Sequence, residues 1–212
     1  CGKRNLRRAL VSGDACPKTV LSACEELLGS ALFPHYGSRE MGMAGAVTCS
    51  AHCGMHLREN HIIAEIISPK GIPLPPGEIG ELVITTIGME ALPLIRYRTG
   101  DYTSILSTPC PCGSETVRLG SIRRRSAGLD MCDVDAAVFS LPEIVDCRAA
   151  MAGNTLFLQV LTTKNADVQH VTSAVQALFP EREVTVSARA VSPADTALCS
   201  GKRVLLPAAE ES

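Results

Sequence analysis

The sequence lacks the two features that would place the chain on a membrane or on a nucleic acid. No apolar stretch approaches the ~20 residues that a helix needs to span a bilayer. Basic and acidic residues nearly balance, at 20 and 22, so the formal net charge is −2. The one basic run, Arg123-Arg124-Arg125, is too short to form a phosphate-binding face. We therefore expect neither a membrane nor a nucleic acid as a partner.

Cysteine is abundant, with 10 in 212 residues, but its distribution does not indicate a disulfide scaffold. Hydrophobic residues make up 46% and charged residues 20%, which is ordinary for a globular protein with a core. Four cysteines are clustered in sequence, and the isolated ones are typical of small buried apolar residues. We expect a reducing, cytoplasmic compartment and a metal site made by the clustered thiols.

The first 120 residues read as an α/β segment followed by β structure. Residues 6–11 predict a strand, 17–28 a helix that Gly29 ends, and 31–33 a second strand, with a turn over 35–42. A strand–helix–strand order predicts a parallel pair whose ligands lie beyond the carboxyl ends of the strands. Residues 62–67, 81–86 and 95–105 predict further strands, so 55–120 is expected to be an antiparallel, barrel-like region.

A separate small module is expected after residue 125. Its pattern predicts a helix over 133–140, strands over 144–150 and 155–162, a helix over 166–178 and a strand over 183–191. That order favours an α+β arrangement of ferredoxin-like type.

Two acidic residues, Glu40 and Asp101, end two segments that lie fifty-odd residues apart, and each follows an apolar run. Asp101 ends the stretch Leu94-Ile-Arg-Tyr-Arg-Thr-Gly-Asp101, and Glu40 ends His35-Tyr-Gly-Ser-Arg-Glu40. Asp101 suits the two hydroxyls of a ribose, and Glu40 suits a Mg²⁺ ion held against phosphate. Each motif alone is weak, because Asp also caps turns and Glu also favours the first turn of a helix. We hypothesise that both carboxylates line one cleft.

Together these motifs make the chain resemble the C-terminal half of the phenylacetate–CoA ligase family, within the adenylate-forming acyl-CoA synthetase superfamily. The resemblance runs from about residue 6 to residue 202. Its most specific segments are Gly80-Glu-Leu-Val-Ile-Thr-Thr86, Pro93-Leu-Ile-Arg-Tyr-Arg-Thr-Gly-Asp101 and Cys110-Pro-Cys-Gly113. It implies ATP-dependent activation of an aryl or related carboxylic acid and transfer of the acyl group to coenzyme A. The acid and coenzyme A are then the partners, and a homodimer is one option for the assembly.

The resemblance also implies the fold class, α/β plus α+β. Residues 1–122 would be the C-terminal part of the AMP-binding domain, with a parallel βαβ unit followed by the barrel-like region. Residues 123–212 would be the small, mobile, ferredoxin-like C-terminal domain.

Matching positions give the roles that the resemblance implies for single residues. Gly13 and Asp14 would line the adenine pocket, with His35, Tyr36 and Gly37 beside it. Ser38 and Glu40 would face phosphate and Mg²⁺. Asp101 would bind the ribose, and Arg125 would be the hinge arginine. Lys202, in Ser200-Gly-Lys202, would reach the acyl phosphate during adenylation only, although a solvated lysine near a terminus is the alternative. Such a preorganised cation typically contributes ~10²–10³ in rate.

A zinc site is a further implication of the resemblance. Cys49, His56, Cys110 and Cys112 match the positions of a zinc-binding set in some family members. Three thiolates and an imidazole close a tetrahedron with no open position, so the role would be structural. His52 and Cys53 are alternative ligands, because both lie within one turn of the others.

Several departures from the family pattern leave the function open. Arg39 stands where Thr is usual, the hinge reads Arg124-Arg125-Ser126-Ala127 without acidic residues, and no Ser/Thr/Gly-rich phosphate loop is present. Because the chain also opens at Cys1 inside an expected strand, we expect a partial enzyme. The alternatives are an adenylyltransferase of the deazaflavin-adenylating type and a non-catalytic, zinc-stapled nucleotide-binding module.

Overall fold

The structure is a computed structural model that describes residues 7–13, 16–29, 31–42, 44–90, 93–124, 129–192, 195 and 205–207. The chain divides into two compact units, the first made of residues 1–16 and 21–125 and the second of residues 17–20 and 126–212. Three residues with roles implied by the resemblance, Asp14, Arg125 and Lys202, lie outside the described residues.

Two strands joined by a helix open the first unit as a parallel pair. Strand β1 (Arg8–Val11) lies parallel to β2 (Ala31–Tyr36), and helix α1 (Lys18–Leu28) connects them. Gly29 follows the helix with φ +61° and donates its N–H to the Glu25 carbonyl. A glycine in this left-handed conformation ends helices readily because it has no Cβ. The strand–helix–strand prediction is confirmed for the described residues.

Strand β2 is longer than the sequence predicts. Strand β3 (Ala46–Thr48) pairs antiparallel with its end, with His35 opposite Val47 and Tyr36 opposite Ala46. This pairing keeps residues 35 and 36 extended, so the prediction of a turn starting at residue 35 is wrong. The loop between the strands begins at Gly37.

The region predicted to be barrel-like consists of two sheets. The first has the order β1-β2-β3-β4-β8, and the second is an antiparallel sheet with the order β5-β6-β7-β9. The remaining strand bounds are β4 Met55–Leu57, β5 Ile62–Ile67, β6 Gly80–Thr86, β7 Tyr97–Thr103, β8 Arg118–Leu119 and β9 Arg123–Arg124. After β7 ends, an antiparallel bridge joins Ile105 to Leu119 of β8, so the chain leaving the second sheet contacts the first. The predicted antiparallel pairing is present in both sheets, and the region is divided between them because β4 and β8 belong to the sheet that begins at β1.

Both sheets contribute side chains to one hydrophobic cluster. Ala46, Leu57 and Leu119 come from the first sheet, and Ile62 and Leu82 belong to the second. Burying a side chain of this size stabilises a fold by roughly 1.5–3 kcal/mol. This cluster fixes the two sheets against each other within the first unit.

The second unit is a four-stranded mixed sheet with two helices. Its elements are α2 Met131–Val138, β10 Ile144–Ala152, β11 Thr155–Thr162, α3 Val168–Ala177, β12 Glu183–Ala190 and β13 Leu206–Pro207. Strands β10 and β11 form an antiparallel hairpin, whereas β12 lies parallel to β11 and β13 parallel to β10. The five elements predicted over 133–191 are confirmed within a few residues. The ferredoxin-like arrangement is not confirmed, since this sheet is mixed.

Aspartate side chains cap both helices of the second unit. The Asp130 carboxylate accepts the Asp133 N–H at the start of α2, and Asp167 accepts the N–H groups of Gln169 and His170 at the start of α3. Each such cap is typically worth ~1 kcal/mol. Both helices pack on the sheet through a second hydrophobic cluster that includes Val134.

Among the described residues, no helix combines the length and the apolar character that a membrane crossing requires.

Candidate functional site

A β-bulge directs Asp101 into the first unit. Along β6 and β7, Glu81 is opposite Tyr102 and Val83 opposite Arg98, so one residue of β6 faces three of β7. Gly100, within the bulge, has φ +75°, a conformation that favours glycine. A bulge re-aims the side chains within it, and Asp101, the last of the three bulged residues, is 8% exposed.

Polar contacts hold this bulge in place. The Thr99 hydroxyl donates to the Leu82 carbonyl at 2.8 Å, and the Asp101 N–H donates to that hydroxyl oxygen at 3.1 Å. The Arg98 guanidinium donates to the Glu81 carboxylate, and this bond lowers the pKa of Glu81 from its usual value. The position of Asp101 is therefore set by neighbours on both strands.

Both carboxylate oxygens of Asp101 have partners inside the unit. The Tyr36 hydroxyl donates to Oδ2 at 2.8 Å across 65 residues of sequence. Arg124, which is opposite Asp101 in the β7–β9 pair, places its Nε 3.4 Å from Oδ1. The two motifs that the sequence singled out, around Tyr36 and around Asp101, thus meet at one hydrogen bond.

The environment of Tyr36 keeps its hydroxyl protonated. Burial raises the pKa of Tyr36 above its usual value, and the negative charge and hydrogen bond of Asp101 raise it further. A neutral phenol remains a donor, so Tyr36 holds the Asp101 carboxylate in a fixed orientation over the neutral pH range.

The loop from Gly37 to Gly45 is fixed by Met41, whose side chain is fully buried in the hydrophobic cluster. The Met41 N–H donates to the Ser38 carbonyl at 3.2 Å, which closes a turn over residues 38–41. A Cβ on Gly37 would lie 3.2 Å from the Gly42 carbonyl oxygen, so the two ends of the loop approach closely. Glu40 is partly buried on this turn.

Gly13 and His35 lie at the carboxyl ends of the parallel pair. Gly13 follows β1 with φ +104°, and His35 belongs to the last residues of β2. The His35 Nδ1 atom is buried and has no hydrogen-bond partner among the described residues. Because the ends of parallel neighbours lie at one edge of a sheet, Gly13, His35 and Tyr36 share that edge.

A second group of side chains brings together four sulfur and nitrogen atoms. One ligand atom from each of Cys49, His56, Cys110 and Cys112 lies within 4.8 Å of all the others. The Cys49 and Cys110 sulfurs are 3.6 Å apart, and the Cys112 sulfur is 3.5 Å from His56 Nε2. Within the described residues, no other group of three or more Cys, His, Asp or Glu is placed to hold a metal ion.

These separations match the edges of a tetrahedral zinc site. Zn–S bonds of about 2.3 Å and Zn–N bonds of about 2.0 Å give S···S and S···N edges of roughly 3.5–3.8 Å in a regular tetrahedron. Cys49 to Cys110 and Cys112 to His56 fall within this range. The donor set of three thiols and one imidazole is also a common set for structural zinc. The four residues therefore fit the ion that the resemblance implies.

The thiols are electrostatically unequal. The Cys112 backbone N–H donates to Cys110 and lowers the pKa of the Cys110 thiol to about 6. The Ser114 backbone N–H lowers the pKa of Cys112 in the same way, but the hydrogen bond with Cys110 and burial outweigh it, so that pKa is raised. One thiolate of the cluster is thus available near neutral pH.

His52 and Cys53, the alternative ligands, take other roles. His52 stacks on Phe33 with ring centroids 5.4 Å apart, and the Cys53 side chain is exposed. The Cys53 carbonyl accepts a hydrogen bond from Arg118, whose other guanidinium nitrogen donates to the Thr108 carbonyl. Arg118 therefore connects the loop after Cys49 to the loop before Cys110.

A cavity of about 390 Å³ lies beside the first strands, away from the Tyr36–Asp101 contact. Arg8, Phe33, Thr48 and Cys49 are among its lining residues, and the Arg8 guanidinium lies 5.8 Å above the Phe33 ring. No residue assigned to the nucleotide by the resemblance lines this cavity.

Several residues of these sites were not singled out from the sequence. Glu81 contacts the residues of the bulge, and Thr116 contacts the ring of His56. Arg118 connects the two loops that carry the cysteines. Only Gly100 carried a usable signal, because a glycine inside a strand pattern often marks a bulge. Thr116 contacts His56, which lies 60 residues earlier in the chain, and Arg118 contacts the carbonyl of Cys53, which lies 65 residues earlier. No local sequence pattern reveals partners at such separations.

Comparisons with known proteins find that the chain is similar to phenylacetate-coenzyme A ligases. It is 33% identical over 155 residues to a phenylacetate-coenzyme A ligase of Thermus thermophilus, covering 66% of this chain and 34% of the relative. It is 37% identical over 125 residues to a phenylacetate-coenzyme A ligase of Pseudomonas putida, covering 57% of this chain and 28% of the relative. The chain thus spans about a third of the length of these relatives. No family model matches the chain.

A solved structure shares the fold. The chain superposes on a 2-hydroxyisobutyryl-CoA ligase, solved in the postadenylation state in complex with R3-HIB-AMP, with a TM-score of 0.81. The match covers 96% of this chain and 49% of that chain, at 20% identity. At this identity the likeness concerns the fold.

Proposed function

The chain belongs to the phenylacetate–CoA ligase family, and on that premise we propose that it is part of an acid–thiol ligase. The complete enzyme would activate an aryl or related carboxylic acid with ATP, release pyrophosphate and pass the acyl group from the adenylate to coenzyme A. The present chain would supply the ribose side of the nucleotide site, a structural zinc site and the small C-terminal domain.

The observation that carries this proposal is the hydrogen bond between Tyr36 and Asp101. It joins the motif at the end of the parallel strands to the carboxylate at the end of the bulge. Ligands of open α/β sheets bind at the carboxyl ends of such strands. A carboxylate at this edge is therefore well placed to meet the sugar of a nucleotide.

Asp101 keeps acceptor capacity for a ribose. An ionised carboxylate has about four lone-pair sites, and Tyr36 and Arg124 occupy one on each oxygen. The two remaining sites suit the two neighbouring hydroxyls of a ribose. In this role Tyr36 orients the carboxylate, and Arg124 shares it with the sugar.

The turn over residues 38–41 would serve the phosphates. Glu40 supplies one carboxylate for Mg²⁺, which commonly takes only one or two carboxylates and completes its shell with substrate phosphate and water. Ser38 would donate its hydroxyl to phosphate, and Arg39, which is exposed, would add positive charge beside it. Gly13, Asp14, His35 and Gly37 would line the adenine. Bound Mg²⁺ would neutralise charge that develops on the triphosphate.

The remaining assignments follow the family resemblance. Lys202 would approach the acyl phosphate during adenylation, and Arg125 would be part of the hinge before a mobile C-terminal domain over residues 123–212. Cys49, His56, Cys110 and Cys112 would bind one structural Zn²⁺, which would tie the loop after β3 to the loop that carries Cys-Pro-Cys.

A non-catalytic nucleotide-binding module is the second candidate. The ion pair between Arg124 and Asp101 favours it, because Arg124 competes with a sugar for the carboxylate. A third function is an adenylyltransferase that stops at the nucleotide adduct. It would use the nucleotide site, as the ligase would, but it would not transfer the acyl group to coenzyme A.

Pyrophosphate release separates these functions. A protein is expressed from the coding region of this chain together with the coding sequence upstream of it. It is incubated with ATP, Mg²⁺ and a panel of aryl acids, with and without coenzyme A. A ligase releases pyrophosphate with one of these acids and forms a thioester when coenzyme A is added. An adenylyltransferase releases pyrophosphate without a thioester, and absence of pyrophosphate with every acid contradicts both enzymatic functions.

Two variants test whether the proposed residues take part in this reaction. Asp101→Asn should reduce pyrophosphate release at least tenfold, because a neutral amide is a weaker acceptor for the ribose hydroxyls. Arg148→Met changes an exposed residue of the second unit and should leave the rate unchanged. Equal rates for the two variants would argue against Asp101 as the ribose contact.

A further inference from the structure

The imidazole of His56 is held by a hydroxyl on its outer side. His56 Nδ1 lies 2.7 Å from Thr116 Oγ1, while Nε2 on the opposite side of the ring lies 3.5 Å from the Cys112 sulfur. The two ring nitrogens therefore face different partners, one a hydroxyl and the other a thiol. Sequence reasoning assigned His56 to the metal but gave Thr116 no role.

The Thr116 hydroxyl belongs to a short chain of hydrogen bonds. Its oxygen is 3.0 Å from the Ser114 hydroxyl oxygen, and the Thr116 N–H donates to the same Ser114 oxygen at 3.4 Å. If Thr116 shares its own hydrogen with Ser114, its lone pair faces His56 and accepts the Nδ1–H. This arrangement fixes the tautomer in which Nε2 carries the free lone pair.

The backbone around Thr116 is itself anchored. The next residue, Val117, donates its N–H to the Glu59 carboxylate at 3.1 Å and accepts the Leu57 N–H through its carbonyl at 2.8 Å. Leu57 directly follows His56 in β4, so the same contacts hold the segment of His56 and the segment of Thr116 side by side. The backbone contacts therefore already place the Thr116 hydroxyl beside the His56 ring.

We propose that Thr116 is a positioning residue of the metal site, which orients the His56 ring and fixes Nε2 as the nitrogen that faces the three sulfurs. This inference rests on the proposed Zn²⁺ site and adds the residue that determines which nitrogen the ion meets. Outer-sphere hydrogen bonds to metal-binding histidines typically contribute 10–100-fold to metal affinity. Thr116 should therefore account for a loss of that size when its hydroxyl is removed.

The test uses the full 212-residue chain and three variants. Thr116→Val removes the hydroxyl and keeps the shape, Thr116→Ser keeps the hydroxyl, and Thr185→Val makes the same change at an exposed position of β12. Zn²⁺ affinity is measured by competition with a chromophoric chelator, and Co²⁺ spectra report thiolate ligation. The chemical shifts of the His56 ring nitrogens are measured by ¹⁵N NMR, and the unfolding temperature of each metal-free variant checks folding.

Thr116→Val should bind Zn²⁺ 10–100-fold more weakly than the unchanged chain. Thr116→Ser and Thr185→Val should stay within about threefold of it, below the smallest effect expected of an outer-sphere contact. The Nδ1 resonance of His56 should be that of a protonated nitrogen in the unchanged chain and lose its fixed tautomer in Thr116→Val. Metal-free unfolding temperatures should agree.

Three results overturn the inference and are distinguishable. If the unchanged chain binds neither Zn²⁺ nor Co²⁺, the proposed metal site fails and Thr116 loses its role with it. If the unchanged chain binds Zn²⁺ but Thr116→Val binds it equally well with the same His56 tautomer, only the role of Thr116 fails. A loss of affinity that Thr116→Ser does not restore also contradicts the assignment.

Discussion

Replacement of Arg118 by methionine removes a contact that connects two loops of the metal site. Arg118 is 4% exposed, and its guanidinium donates to the carbonyls of Cys53 and Thr108. Methionine keeps much of the apolar stem but has no donor for either carbonyl. Both carbonyls then lose a charged partner in a partly buried environment.

The size of the effect follows from these two bonds. A hydrogen bond with a charged partner contributes about 1.5–3 kcal/mol to stability, so losing both should lower the free energy of unfolding by about 3–6 kcal/mol. Arg118→Lys keeps the charge, but a lysine lacks the planar fork that reaches two carbonyls, and its loss should be about half as large. Arg148→Met changes an exposed arginine and should stay within about 0.5 kcal/mol.

Urea denaturation followed by tyrosine fluorescence measures this difference in the first unit alone. The chain has no tryptophan, and its three tyrosines are residues 36, 97 and 102. A chelator keeps metal out of the measurement. A free energy of unfolding for Arg118→Met within about 1 kcal/mol of Arg148→Met would refute the reasoning, because the two bonds would then contribute nothing measurable.

Two further predictions concern titrating groups. The Arg189 guanidinium lowers the pKa of Asp195 to about 2. This pair therefore contributes stability that is present above the usual aspartate pKa and is lost as the pH falls from about 4 towards 2. Asp195→Asn should make the free energy of unfolding less dependent on pH in that window, and an unchanged dependence would contradict the ion pair. Burial and Asp101 raise the pKa of Tyr36, so subtracting the ultraviolet titration of Tyr36→Phe from that of the unchanged chain should give a midpoint above ~10. A midpoint at or below that value would contradict the burial of this hydroxyl.

Local pattern was sufficient for most elements of the fold. The helical period and the stop at Gly29 predicted α1, and the order of strand, helix and strand predicted the parallel pair of β1 and β2. The elements between residues 131 and 190 were also predicted within a few residues from their local pattern.

Long-range pairing explains the errors. His35 and Tyr36 stay extended because β3 pairs with them, and nothing in the sequence near residue 35 shows that partner. The division of the barrel-like region into two sheets was not predicted for a similar reason, since β8 pairs with β4, about sixty residues earlier in the chain, within the sheet that β1 begins. The sheet of the second unit is mixed, which element order alone does not determine.

The candidate site shows the same division. Residue type and order indicated Asp101 and the clustered thiols, and the family resemblance named the four metal-site residues. The hydrogen bond from Tyr36 to Asp101 and the contacts of Thr116 and Arg118 depend on tertiary packing. Sequence therefore indicated the chemistry, while the structure supplied the groups that orient it.

Nucleotide binding by the Asp101 carboxylate is tested most directly by comparing AMP with 2′,3′-dideoxy-AMP. Calorimetric titration is carried out on the protein expressed from this chain's coding region together with the coding sequence upstream of it, for the unchanged sequence and for Asp101→Asn. If the carboxylate holds the ribose diol, the dideoxy compound should bind the unchanged sequence at least tenfold more weakly, about 1.4 kcal/mol, and Asp101→Asn should abolish most of this difference. Equal affinities of the two compounds for the unchanged sequence, or no binding of AMP, would contradict the account.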